Sequence, residues 1–544
     1  MQVASARPAP VPTSKNGSCR TIHRTRAARL LVSLAATAVS VAVATTGCSA
    51  PQSTSGAVPS TFTIADHAIP QSLDPMRSAS YETTQLTFLW GGYLTNYGDG
   101  ERSGSPQLAE SVAVAPDGMS WTIRLRPGLK FSNGNALTSA DVVATLDRIL
   151  STPNIAGDNW LGPSMGSIDK VTAPDAQTVV LSLKRPYPGM AAALSVPQLV
   201  ILPASGIAAG EEFWKHPVSA GRFKFDTLDT TNGKFTLSAN ANYFDTTPRT
   251  VKNINFLAVT DPATRLAQIR TGQVDYADNI PGNLLSQVKS PLTLDTAQWN
   301  GGQMALSVNF DDPLAGDARI RQAISLAVDR QQIATSALGG KAVGLPLYGI
   351  PWDQNNNPPN AAPHERDLAA ARAKLVGTKC EQGCTIPLVT VTDSAWQVPL
   401  VAQVVQQQLK AIGINLQIDN TTFTQVGDRL KQGNWGLFTR WIGYYENTQS
   451  YLGGYIYADP TSGNNANFWG TLPTRPNMPE LEALSDQLKT MSPGAAASAV
   501  ITKVNDQYSQ ELPSIPLTTL SYVAASRFPS DKVRSIGASY MVLP

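Results

Sequence analysis

From residue 61 to the C-terminus, short runs alternating apolar and polar side chains are interleaved with stretches of helical period, and no fixed-length repeat relates them. Alternation at period two buries one face of a strand, whereas a spacing near 3.6 buries one stripe of a helix. A chain that switches between the two along its whole length must build a mixed α/β body. Thr61 to Ala65, Trp121 to Arg126, Thr178 to Leu183, Ala305 to Phe310, Ile414 to Ile418 and Ile515 to Ala525 read as strands. Helices are expected from Thr138, an N-cap with Asp141 three residues on and Val142, Leu146 and Ile149 following at helical spacing. Others are expected over Pro262 to Thr271, Asp317 to Leu338 (one long helix ended by Gly339-Gly340), Leu400 to Ile412 with Gly413 as its stop, Leu481 to Met491 and Ala495 to Leu512. Residues 353 to 363 form the clearest loop. Asp117-Gly118 and Asn133-Gly134 are turn dipeptides, where glycine accepts positive φ.

With 544 residues the chain holds two or three folded units and a sizeable core. Its 42 basic and 40 acidic side chains give no indication of nucleic acid. Six of the basic residues and none of the acidic ones fall in the first 47 positions, so the remainder carries 36 against 40. A basic stretch ending at Arg29, the apolar run Leu30 to Ala44, and Thr45-Thr46-Gly47-Cys48 read together as a cleaved secretory signal. The apolar run is shorter than the roughly 20 residues a spanning helix needs. The position of Cys48 resembles the bacterial lipobox, in which the cysteine is acylated; an ordinary signal peptide with an incidental cysteine is the plainer alternative. Residues 48–60 are small and Pro-containing and suit a tether. With Cys19 in the signal and Cys48 lipidated, Cys380 and Cys384 remain as a close pair, read as a small-loop disulfide in an oxidising compartment.

Motifs of catalysis are weak. The G-x-S-x-G match Gly162 to Gly166 follows loop-like sequence, contains Pro163 and precedes a strand pattern, unlike a nucleophile elbow, and reads as chance. His23, His67, His216 and His364 lack metal-ligand spacing, and no Walker or dinucleotide fingerprint occurs. No enzyme activity, cofactor or metal is expected.

Several segments, read in order, resemble the family 5 extracellular solute-binding proteins of ABC importers, the peptide/nickel-binding group, in an actinobacterial-type lipoprotein. They are Ser72-Leu73-Asp74-Pro75, Leu108 to Ser111, Pro116-Asp117-Gly118, Ile123 to Gly134 with Leu137 to Val142, His216 to Phe223 and Asn242-Tyr243-Phe244. Thr264-Arg265 with Gly272 to Asp275, Arg319 to Arg330, Gly436 to Trp441 and Glu511 to Pro516 continue the match to the C-terminus. Arg321, Asp329 and Arg330 on the expected long helix could pair with carboxylates, but read better as scaffold.

The resemblance implies a two-lobed α/β clamp of the periplasmic-binding-protein kind (type II, the large cluster C type) with an extra inserted subdomain. Lobe I would be 61–95, 216–280 and 500–544, the insertion 96–215, and lobe II 281–499, behind a signal peptide 1–47 and a tether 48–60. Closure about the hinge would bury the ligand, and the permease would read the closed state. In peptide-binding relatives a Trp followed three residues later by Asp supplies the carboxylate for the ligand's α-ammonium; in Arg440-Trp441-Ile442-Gly443-Tyr444-Tyr445-Glu446-Asn447 that place is Tyr444, neutral at pH 7. Glu446 is a substitute, with a surface role as its alternative. The Arg that dipeptide-binding relatives use for the peptide carboxylate has no counterpart in Thr392 to Trp396. Aromatic density in Trp435, Trp441, Tyr444, Tyr445, Tyr451, Tyr455 and Tyr457, with Trp396, still indicates a cleft, although about half are expected in the core, Trp435 among them. Tyr81, Gln303 and Asn309 are the candidates from the opposing lobe and hinge.

The expected function is a monomeric, lipid-anchored receptor at the outer face of the cytoplasmic membrane, with no other membrane contact. It would capture an oligopeptide or similar solute, a glycan or tetrapyrrole included, and deliver it to the transmembrane subunits of an ABC permease. The alternative is a non-transport lipoprotein of the same fold that regulates cell-envelope biosynthesis through a protein partner.

Overall fold

A computed structural model describes residues 57–70, 72–77, 81–96, 104–152, 165–345, 365–392, 396–422, 425–442, 478–491, 494–536 and 540–544. Its spine is a ten-stranded mixed sheet. In spatial order the strands are Ile414–Thr421, Cys384–Val391, Leu437–Ile442, Thr293–Val308, Ser514–Ser526, Tyr276–Ala277, Thr61–Asp66, Asn253–Ala258, Lys234–Ala239 and Phe223–Asp229. Thr61–Asp66 pairs in parallel with Tyr276–Ala277 and Asn253–Ala258, and Cys384–Val391 in parallel with Ile414–Thr421 and Leu437–Ile442. The long strands Thr293–Val308 and Ser514–Ser526 run antiparallel to each other and join the two parallel sets.

A separate four-stranded antiparallel sheet, Ala109–Val114, Ser120–Leu125, Thr178–Leu183 and Ile168–Asp175 in spatial order, has its own core between Leu94 and Ala220, with Met76. Alternation places Trp121, Ile123 and Leu125 inside and Thr122 and Arg124 outside. Helix Ser139–Ser151 covers this sheet with Val142, Leu146 and Ile149. At its start the Thr138 N–H donates to Asp141 Oδ2 at 2.9 Å, while Asp141 Oδ1 accepts from the Ala204 N–H, so one carboxylate caps the helix and ties it to the next segment. Caps of this kind contribute about 1 kcal/mol. Gly118 and Gly134 take φ of +72° and +88°, as their turns require.

The expected helix from Asp317 to Leu338 is two helices, Ala318–Ala327 and Arg330–Ser336. Val328 turns to extended backbone, and the Asp329 carboxylate accepts from the Gln332 N–H to cap the second helix. Competition from this cap ends the first helix although the apolar spacing continues. The scaffold reading of the arginines holds, with backbone carbonyls as partners. Arg321 donates to the carbonyls of Ala315, Gly316 and Glu511, and Arg330 to those of Ser325, Leu345 and Pro516. Pro479–Thr490 and Ala495–Glu511 pack as a helical pair before the last long strand. Gly413, at φ +79°, ends the turn after helix Val398–Leu409. Cys380 and Cys384 are disulfide-bonded at the start of Cys384–Val391. Trp435 is core, its Nε1 donating to the Leu430 carbonyl. The loop 353–363, the serine of the G-x-S-x-G match and Cys48 lie outside the described residues.

Candidate functional site

Strand direction locates the site. Ala65 pairs with Ala277, which pairs with Ala525, so the carboxyl end of Thr61–Asp66 points along Ser514–Ser526 toward lower numbers. Ile442 pairs with Gln303, which pairs with Thr519, so the carboxyl end of Leu437–Ile442 points along the same strand toward higher numbers. Asp66 stands level with Ala524 and Ile442 level with Thr519, five residues apart, or about 17 Å at ~3.4 Å per residue. Both parallel sets thus open onto one stretch of the central strand, and ligands of open α/β sheets bind outside the carboxyl ends of their strands.

A buried polar cluster forms the first wall. Ile64, Tyr276 and Ser526 share one register, so Asp66, Asp278 and Tyr522 fall on the same face by alternation. Helix Tyr81–Trp90 covers that face from its first residue. The Tyr81 hydroxyl donates to Asp278 Oδ2 at 3.1 Å, and Gln85, one turn on, donates its Nε2 to the same oxygen at 2.8 Å. Arg265 fixes the loop behind, donating to the carbonyls of Asp278, Asn279, Val259 and Thr260. Its guanidinium is buried, which lowers its pKa against the opposing pull of Asp66, Asp278 and Asp261.

His67 bridges two carboxylates: Nδ1 lies 2.8 Å from Asp66 Oδ1 and Nε2 2.7 Å from Glu82 Oε1. Burial alone would lower its pKa, but the charges and hydrogen bonds of Asp66 and Glu82 outweigh it and raise the pKa to about 11. The ring is therefore an imidazolium at neutral pH with both nitrogens engaged. Burial and the charge of Asp66 push the Asp278 carboxyl well up, against hydrogen bonds from Gln85 and Tyr81 and the charge of His67. Burial and Asp278 likewise raise the Tyr81 phenol.

The second wall starts with Trp396, just before helix Val398–Leu409. Its ring meets Tyr81 edge-on at 5.8 Å between centroids, and Tyr522 meets Tyr81 at 5.6 Å. Tyr81 and Trp396, both named from sequence, are thus brought together from opposite parallel sets. Trp441 is half-buried near the end of Leu437–Ile442, while Arg440 and Gln303 are buried in the same part of the ladder. Asn309 is a correction. It lies beyond the Val308–Leu437 pair, at the amino end of Leu437–Ile442 and away from the opening, and its Nδ2 donates to the carbonyls of Trp435 and Gly433. It is a loop latch and not a cleft residue. Tyr444, Tyr445, Glu446 and Asn447 lie outside the described residues, as do Tyr451, Tyr455 and Tyr457.

Sequence reasoning missed Asp66, Glu82, Asp278 and Tyr522, and set His67 aside for want of metal-ligand spacing. The available signal was position: Asp66-His67 directly ends a strand. Among the described residues no group of three or more His, Cys, Asp or Glu side chains is arranged to hold a metal ion, and no helix is long and apolar enough to cross a membrane. Rings and carboxylates gathered where two sets of strand ends converge can hold a solute by contact area and hydrogen bonds.

Comparison with known proteins agrees with this architecture. The family described as bacterial extracellular solute-binding proteins, family 5, middle region, matches residues 104–463. The glutathione-binding protein GsiB of Escherichia coli O1:K1 / APEC is 28% identical over 313 residues, 57% of this chain and 60% of that protein. GsiB of Pectobacterium atrosepticum is 27% identical over 321 residues, with the same shares. The match thus spans 60% of the length of these curated relatives. Among solved structures, AgaA of A. tumefaciens R10 in complex with agropinic acid superposes with a TM-score of 0.73 at 24% identity, over 89% of this chain and 99% of that one. DppA of Helicobacter pylori in complex with the peptide STSA gives 0.75 at 20% identity, over 89% and 98%. NikA of Brucella suis in complex with Fe(III)-EDTA gives 0.75 at 19% identity, over 89% and 100%. The fold is the two-lobed α/β clamp of these binding proteins, and the chain belongs to family 5 of the bacterial extracellular solute-binding proteins.

Proposed function

We propose that this protein is a lipid-anchored, extracytoplasmic receptor that captures a small solute between its lobes and hands it to the transmembrane subunits of an ABC importer. The observation that carries the reading is the convergence of both sets of strand ends on Thr519 to Ala524, with aromatic side chains brought to the same place from each side. We keep the lobes as 61–95, 216–280 and 500–544 against 281–499, with 96–215 inserted, and Cys48 as the acylated residue that holds a monomer at the membrane. Oligopeptides are the preferred class, with Tyr81, Trp396 and Trp441 as contact surfaces and Tyr444, Tyr445, Glu446 and Asn447 kept as further candidate ligand residues. Glutathione, agropinic acid and Fe(III)-EDTA, named with the relatives above, widen the set to test.

The test is native mass spectrometry of the full chain purified without refolding from its own host, followed by denaturing analysis of what is released. A ladder of peptide masses supports the oligopeptide reading. One non-peptide mass keeps the receptor and replaces the ligand class. An empty protein that also gives no thermal shift with peptides, glycans, glutathione or haem overturns the receptor reading in favour of the partner-binding regulator.

A further inference from the structure

Two polar atoms at the first wall are left over. Asp66 is 1% exposed and its Oδ1 is taken by His67, yet Oδ2 has no hydrogen-bond partner among the described residues. Tyr522 is 2% exposed, and its hydroxyl also has none. Both side chains fall on the same face of the sheet, Tyr522 one pleat in front of the strand end that Asp66 closes. Buried polar atoms are ordinarily satisfied, and a carboxylate oxygen is among the costliest to leave alone. The surroundings are three aromatic rings, with Tyr81 in the middle and the Tyr522 and Trp396 rings each within 6 Å of it. A carboxylate oxygen without a donor, a phenol, and ring faces together describe what a cationic nitrogen requires.

We propose that this corner is a subsite for a cationic nitrogen of the solute, an ammonium or guanidinium, held by Asp66 Oδ2 and the Tyr522 hydroxyl among the rings of Tyr81, Tyr522 and Trp396. The inference rests on the receptor reading and names part of its ligand. It moves the positive-charge contact to the first lobe, in a chain whose Tyr444 stands where peptide-binding relatives place an aspartate.

The charges agree with this. Around the corner stand the carboxyls of Asp66, Glu82 and Asp278, the imidazolium of His67, the guanidinium of Arg265, and the phenols of Tyr81 and Tyr276. Burial and the charge of Asp66 raise the Asp278 pKa, and a ligand cation beside Asp66 offsets that charge and pulls the Asp278 pKa back down.

Isothermal titration of the full chain, stripped of co-purified solute, tests the assignment. The probes are trialanine and glutathione, their N-acetylated forms, and the amine-free solutes maltotriose and citrate. The free amines are expected to bind at least 30-fold more tightly than their acetylated forms, and Asp66→Asn to abolish the difference. Tyr522→Phe, which keeps the ring and guards against misfolding of the first variant, should weaken only the free amines, by 3- to 10-fold. Equal affinity for free and acetylated probes overturns the subsite. Binding of maltotriose or citrate alone also overturns it and leaves the receptor standing; binding of none of the probes overturns the subsite, and overturns the receptor reading too only where the protein also purifies empty.

Discussion

The contact between Tyr81 and Trp396 joins side chains 315 positions apart, from the two parallel sets, and a double-mutant cycle in urea measures it. Truncating a buried tryptophan to alanine costs about 3–5 kcal/mol, so Trp396→Ala alone should lower the unfolding free energy by that amount. Tyr81→Ala removes the ring and the hydrogen bond to Asp278; the latter loss occurs whether or not the Trp396 ring is present and cancels from the coupling. An edge-on aromatic pair is worth about 0.5–1.5 kcal/mol beyond its buried area. The cycle should return a coupling in that range, read from urea midpoints at constant slope. Additivity within about 0.3 kcal/mol would refute the contact and with it the meeting of the two walls at Tyr81.

Other outcomes follow from the same structure. The pKa of His67 is raised, so its stabilising contribution is complete below its unfolded value near 6.5 and is lost as pH rises toward about 11. Denaturation of wild type and His67→Gln should accordingly converge between pH 7 and pH 11, by at most about 1.4 kcal/mol per pH unit, and a constant gap would contradict the imidazolium. Arg321→Met strands the carbonyls that Arg321 now satisfies and should cost more than about 3 kcal/mol in urea, with Arg321→Lys a poor rescue because it lacks the planar fork. Cys380→Ser closes no loop; the four-residue separation sets the expected loss at about 2 kcal/mol by loop-closure entropy, measured against wild type under oxidising conditions.

What could be read from sequence was what local chemistry decides. Thr138 and Asp141 announce a helix start because both partners of the cap lie within four residues. Alternation in Thr178–Leu183 gives a strand because the pleat alone sorts its side chains. The same local rules overran at Val328-Asp329, where apolar spacing runs on but an aspartate caps a new helix. Alternation also located the strand leading to Asn309 without telling which of its ends faces the opening; that depends on the direction of partners more than a hundred residues away. His67 looked idle because its second carboxylate, Glu82, lies fifteen positions away and meets it only once helix Tyr81–Trp90 packs on the sheet. The family resemblance supplied the architecture, and the identity of the wall residues had to come from register.

The central claim is that solute sits between the two sets of strand ends. Amide hydrogen exchange of the full chain, before and after its co-purified solute is stripped, tests it directly. Bound solute should slow exchange at residues 66–70, 81–85, 278–280, 396–400 and 519–524, with no change at 309–316 or in the four-stranded sheet. Protection confined to the four-stranded sheet or to the loop around Asn309, with none at the strand ends, would contradict the account.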